Sequence, residues 1–239
     1  MKRTKSAPSA VQQLLVVLVF SLIVFMIPAS GTPSSPGEDP AGEKGAPAMI
    51  PLSKPPFPKT MSIEETLEKR RSVRRFAPEK LTGMEISRLL WAAQGITGRG
   101  GLRTAPSAGA LYPLEVYLVL PEGSYRYDPE KAELLLHRKG DAREGLSRAA
   151  LGQSCVRDAP AVIVLTAVYG RVTGKYGGRG ERYVLLEAGH AAQNIHLEAV
   201  ALGLGSVPVG AFRDDGVRSV LELPRDHEPV YLIPVGRPR

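Results

Sequence analysis

The stretch Ala161-Val162-Ile163-Val164-Leu165-Thr166-Ala167-Val168 decides the architecture. It carries no charge and a single hydroxyl, and most of its side chains are β-branched, which suits an extended strand covered on both faces. Such a strand needs helices above and below its sheet, and the flanking chain supplies them. Partner strands are expected at Leu114–Leu120, around Tyr125–Asp128, at Glu133–His137, at Ser206–Val209 and at Val230–Val235. Ser62 caps a helix running from Ile63 to Arg70 or Arg71, with Glu64 and Glu65 in its first turn. Thr82 caps a second, with Ile86, Leu89, Leu90 and Ala93 on one face and Gly95 to stop it. Shorter helices are expected at Ala142–Leu151 and Asp215–Leu221. A long one spans Glu181 to Leu202, with an apolar stripe of Ala188, Ala192, Ile195, Ala199 and Leu202 and with Glu187, His190, Asn194 and Glu198 beside it. The pattern is α+β: a mixed, mostly antiparallel sheet flanked by helices in three layers, α/β/α.

Eight prolines fall between Pro33 and Pro58, too many for a packed core, so residues 32–60 read as an extended linker and residues 61–239 as the folded domain. Residues 1–31 combine a basic start, the apolar run Leu14 to Ile27 and the small residues Ala29-Ser30-Gly31. That is an export signal or an uncleaved anchor, with membrane contact only through residues 11–27. Either form places the domain outside the cytoplasmic membrane, soluble or anchored.

The chain carries 31 basic and 24 acidic residues, a net charge of +7. Lys2, Arg3 and Lys5 account for three of those charges, and no basic face or nucleic-acid-binding module follows. Cys155 stands alone, which excludes an intrachain disulfide and a cysteine-based zinc site. His190 and His196 lie six residues apart on different faces of one helix and cannot share a metal unaided, so no metal site is expected. A hydrogen bond to Glu187 or Asn194 is the expected role of His190. Neither Ser107 nor Ser206 lies in a G-x-S-x-G elbow, which argues against a serine hydrolase.

Four segments hold candidate chemistry. Arg70, Arg71, Ser72 and Arg74 offer forked guanidinium donors and a hydroxyl, suited to a phosphate; on composition alone they are equally a solvated helix end. The segment Ala105 to Pro113 is built of small residues that let a flat ligand approach the backbone. Gly203 to Gly210 is not a dinucleotide fingerprint, because Pro208 takes the third glycine position and a strand follows. Lys175 to Tyr183 reads as a glycine-loosened loop rich in titratable groups.

Together these segments resemble the FMN-dependent nitroreductase superfamily, and within it the SagB-type dehydrogenases that form thiazoles and oxazoles. The resemblance rests on Arg70 to Phe76, Arg103 to Pro113, Leu186 to Asn194 and Ile233 to Pro238, and covers residues 61–239. It implies an FMN-binding α+β domain that forms a homodimer with flavin at the interface. By the same resemblance Arg70 and Ser72 would hold the phosphate, with Arg71 and Arg237 assisting, and Arg74 would lie at the N1/O2 edge of the ring. Pro106, Ser107, Ala108 and Gly109 would pack along the ring, and the backbone of Val209 and Gly210 would reach O4 and N5. Better-known nitroreductases carry Asn and Gln where this chain has Ala110 and Tyr112, a departure that favours the SagB-type branch.

Lys175-Tyr176 matches a pair that azoline dehydrogenases place in the active site, where a lysine desolvated near Arg179 or Arg182 would serve as base. The implied activity is hydride transfer through flavin N5 to or from a small organic or peptide-derived substrate. Outside the membrane no pool of reduced nicotinamide is maintained, which favours oxygen or quinone as acceptor over an NAD(P)H-dependent nitroreductase or flavin reductase. A non-catalytic flavin-binding envelope protein is the reading from a different class.

Overall fold

The computed structural model describes residues 47–52 and 61–239. Seven strands, β1 (Met49–Pro51), β2 (Leu114–Leu120), β3 (Gly123–Asp128), β4 (Glu133–Lys139), β5 (Ala161–Ala167), β6 (Gly205–Ser206) and β7 (Glu228–Gly236), form one sheet in the order β1-β4-β3-β2-β5-β7-β6. Every strand pairing is antiparallel, and the isolated bridge Ser72↔Ser206 adds a parallel contact at the β6 edge. The helices are α1 (Ile63–Lys69), α2 (Gly83–Gln94), α3 (Arg143–Ala149), α4 (Ser154–Asp158), α5 (Gly170–Tyr176), α6 (Arg179–Ala201) and α7 (Asp214–Leu221).

Strand alternation sorts the core into two clusters. Leu114, Val116 and Leu118 of β2, with Ile163 and Leu165 of β5, meet α2 and α6 through Leu89, Leu90, Ala188, Ala192, Ile195 and Ala199. Tyr117, Val119, Val162 and Val164 point to the opposite face, against Leu146, Val156, Val217 and Leu221 of α3, α4 and α7. All of β5 is buried, as an uncharged strand between two helical layers must be. Ser62 with Glu65, and Thr82 with Glu85, form reciprocal capping boxes that fix where α1 and α2 begin.

Three expectations change. The folded region starts before residue 61, because Met49–Pro51 pairs with β4 and Leu52 donates its N–H to Ala132 O. The leader and the rest of the linker lie outside the described residues. The segment expected to be a loop before residue 181 is instead α5 and the first turn of α6. Gly180 lets those two helices touch, since a Cβ there would sit 2.8 Å from Thr173 N and 2.9 Å from its Cα. The strand expected at Ser206–Val209 shortens to Gly205–Ser206, with Val209 as a separate bridge to Leu232, because Val207 donates to Pro234 O and Pro234 has no N–H to return the bond.

Candidate functional site

Where α1 ends, the chain turns extended and runs beside β6. Val73 donates its N–H to Ser206 O at 3.0 Å, and Gly205 leaves room for the Val73 side chain, which a Cβ would meet at 2.6 Å. This strip carries the four basic-cluster residues. Arg70 is part-buried and directs Nη1 to His196 Nε2 at 3.1 Å. Its other guanidinium N–H groups have no hydrogen-bond partner among the described residues, and Ser72 and Arg74 are exposed beside it. Arg71 is turned away, donating to the carbonyls of Glu68 and Arg70 at the end of α1. Arg237 is also engaged elsewhere: its Nη2 donates to Glu85 Oε1 at 2.8 Å, an ion pair that cancels the charge an assisting role would use.

His196 is the residue the sequence reading missed. It is buried on α6, and its Nδ1 lies 2.6 Å from Ser206 Oγ. Burial and, after it, the Arg70 cation push its pKa down to about 4, so the imidazole is neutral near pH 7. Arginine can only donate, so Nε2 accepts from Arg70 and Nδ1–H donates to Ser206 Oγ. His190, by contrast, is exposed and makes none of the bonds expected for it.

A second strip faces the Lys-Tyr pair. After Pro106 the backbone turns through left-handed φ at Gly109 (64°), Ala110 (53°) and Tyr112 (45°). Two of those are non-glycine residues, a strained arrangement that survives only if neighbours hold it. Tyr112 is held at three points. Its N–H donates to Ser107 Oγ at 2.9 Å, its hydroxyl accepts from Arg103 N, and its carbonyl accepts from Arg171 Nη1. The Arg103 guanidinium also stacks 4.5 Å from the Tyr112 ring centroid, so this side chain faces inward.

Gly109 stays outside and meets the end of α5. A Cβ on Gly109 would fall 2.8 Å from Tyr176 Oη and 3.0 Å from Lys175 Nζ. Two groups that can carry a proton thus converge on the backbone of the small-residue loop. Lys175 is exposed, however, and Arg179 is occupied by the Tyr183 hydroxyl at 3.1 Å, so the desolvation expected for Lys175 is absent in the single chain. In the Gly203–Gly210 segment, Val209 N and O both pair with Leu232, which removes Val209 as a donor and leaves Gly210, exposed, to present an amide.

Behind the loop lies a buried polar cluster. The buried face of α6 is wider than the apolar stripe and takes in Glu187, Ala191 and His196. Glu187 shares its surroundings with Gln94, Arg103 and Ser107; Arg103 Nη1 donates to Gln94 Oε1 at 2.9 Å. Glu187 Oε1, Gln94 Nε2 and Arg103 Nε have no hydrogen-bond partner among the described residues. Gln94 and Arg103 also line a cavity of about 40 Å³, room for a bridging water. Burial raises the Glu187 pKa to about 7, against the opposing pull of Ser107, Arg103 and Gln94.

That shift has a sign. Between pH 4.5 and 7 the folded state binds more protons at Glu187 than the unfolded state does, so its contribution to stability falls as pH rises through this window. Glu187→Gln removes the cost of ionisation. It is expected to be more stable than the parent at pH 8 by about 2 to 3 kcal/mol, a gap that closes toward pH 4.5. Denaturant unfolding of both proteins at several pH values checks this; curves that run parallel across pH refute it.

A family model described as the Nitroreductase family matches residues 67–237. A curated protein of Methanocaldococcus jannaschii that carries a provisional nitroreductase name is 44% identical over 183 residues, covering 74% of this chain and 91% of the relative. A crystal structure from Ralstonia eutropha JMP134, also provisionally named a nitroreductase, matches with a TM-score of 0.75 and 34% identity, covering 81% of this chain and 90% of that one. A third, from Anabaena variabilis and under the same provisional name, matches with a TM-score of 0.71 and 34% identity over 80% of this chain. This chain spans 42% of the Anabaena protein.

Proposed function

The chain belongs to the nitroreductase family, and from that premise we propose that it is an FMN-dependent oxidoreductase of the SagB-type dehydrogenase class. The observation that carries the proposal is the convergence of Lys175 Nζ and Tyr176 Oη on Gly109, in the loop that lies along the flavin ring in this reading.

The residues present fit a flavin mononucleotide. Arg70, Ser72 and Arg74 offer uncommitted donors for a phosphate, Gly109 leaves the space a Cβ would fill, and Gly210 presents a backbone amide. Arg71, Val209 and Arg237 contribute less than the resemblance implies, since each is held by another partner. When bound, the flavin supplies a hydride acceptor and donor at N5.

The chain's own part in the reaction is positional and protolytic. Oxidation of an azoline ring to an azole breaks two C–H bonds: one hydrogen leaves as hydride and the neighbouring one as a proton. Lys175 Nζ or Tyr176 Oη, which converge on the Gly109 backbone, would take that proton. Arg74, at the ring edge by the resemblance, would add positive charge that favours accumulation of electrons on the cofactor. Oxygen or a quinone would serve as the final acceptor if the domain lies outside the cytoplasmic membrane, as proposed from the leader.

The working form is a homodimer. Ile63 and Leu67 on α1 and Leu185 and Leu186 on α6 each expose more than half of their surface, apolar area that a second copy would cover.

The test separates the two half-reactions. Under anaerobic conditions a 4-carboxythiazoline is expected to bleach the bound flavin, and air to restore its colour. Yellow protein that no thiazoline, oxazoline or nicotinamide donor can bleach would leave only a binding protein.

A further inference from the structure

We infer that His196 is a positioning residue, whose uncharged imidazole aims the Arg70 guanidinium at the cofactor's phosphate without neutralising it. The inference rests on the FMN reading above and adds a residue to it.

The geometry is a chain of contacts across three elements. Arg70, at the end of α1, donates to His196 Nε2 at 3.1 Å, and His196 Nδ1–H donates to Ser206 Oγ at 2.6 Å. Ser206 lies in β6 and accepts through its carbonyl from Val73, so the anchor of the imidazole is the same residue that aligns the basic strip. His196 and Ser206 are both buried, which fixes the ring plane. One edge of Arg70 is therefore set, while its remaining N–H groups have no hydrogen-bond partner among the described residues.

The choice of acceptor matters. An arginine is most strongly held by a carboxylate, but that carboxylate cancels its charge and repels an incoming anion. This chain contains both arrangements: Arg237 is held by Glu85 and so neutralised, whereas Arg70 is held by a neutral ring and keeps its full charge. Pinning a long side chain before binding also spares the loss of rotamer freedom when the ligand arrives. Neutrality of the ring at working pH is consistent with its low pKa of about 4.

Two isosteric substitutions separate positioning from packing. In His196→Gln the amide oxygen reaches the place of Nε2 and can accept from Arg70. In His196→Asn the shorter amide reaches only the place of Nδ1, keeping Ser206 and losing Arg70. The readout is the ratio of the dissociation constants for riboflavin and FMN, which isolates the phosphate. His196→Asn is expected to lower that preference for FMN about tenfold, with riboflavin affinity unchanged within about twofold, while His196→Gln keeps the preference within about threefold of the parent. Equal preferences in the two variants, or parallel losses for FMN and riboflavin, overturn the inference. If the parent protein itself binds neither flavin, the proposed function fails first.

Discussion

Arg70→Ala is expected to purify as a nearly colourless protein. Arg70 is the cation in the basic strip with a fixed orientation and uncommitted donors, so in the proposed site a phosphate dianion would take two charge-assisted hydrogen bonds from it. Each such bond contributes about 1.5 to 3 kcal/mol, so their joint loss weakens FMN about a hundredfold or more. Arg237→Ala is the informative partner variant. The Glu85 ion pair already neutralises that guanidinium, and its side chain is 37% exposed. Its removal is expected to leave flavin occupancy within about twofold, since a guanidinium already paired with a carboxylate offers little net charge to a phosphate. Flavin dissociation constants for both variants check the contrast. Full occupancy in Arg70→Ala would remove the basic strip from the cofactor site.

The second large effect is on turnover. Lys175→Ala is expected to keep the yellow colour, because no phosphate-binding role falls on α5, while bleaching by a 4-carboxythiazoline slows about a hundredfold, the usual scale for losing a general base. Reoxidation by air should be unchanged, since that half-reaction does not need the base. Tyr176→Phe tests the neighbouring hydroxyl, which lies equally close to the Gly109 position. If both variants bleach at the parent rate, neither group takes the substrate proton and the pair only packs against the loop.

How much of this was legible beforehand depends on the kind of signal. Ser62 with Glu65 and Thr82 with Glu85 announce helix starts by local hydrogen bonding alone, and the structure shows both capping boxes. The β5 strand was equally plain, because a run of uncharged β-branched residues has few other places to go. The strand at Met49–Pro51 was not, since a proline-rich setting masks an edge strand whose N–H groups need only one neighbour. Glycines hid α5 and the first turn of α6, because Gly180 serves helix contact there rather than loop freedom.

The polar residues of the site divide the same way. The apolar stripe of α6 was readable from its spacing, but spacing cannot say which polar neighbours go inside. His196 and Glu187 do so because partners from other elements, Arg70 and Ser206 for one, Arg103 and Ser107 for the other, are waiting there. His190, on the same helix, found none and faces outward. The meeting of Lys175 and Tyr176 with Gly109 crosses 66 residues of chain, and only the family resemblance pointed to it.

The central claim is that this domain holds FMN by its phosphate. The measurement that bears on it most directly is denaturation of the purified protein, followed by identification and counting of the flavin released. The account predicts FMN at about one molecule per chain, either as isolated or after incubation with excess cofactor. A protein that releases none, and takes up none when FMN is supplied, contradicts it.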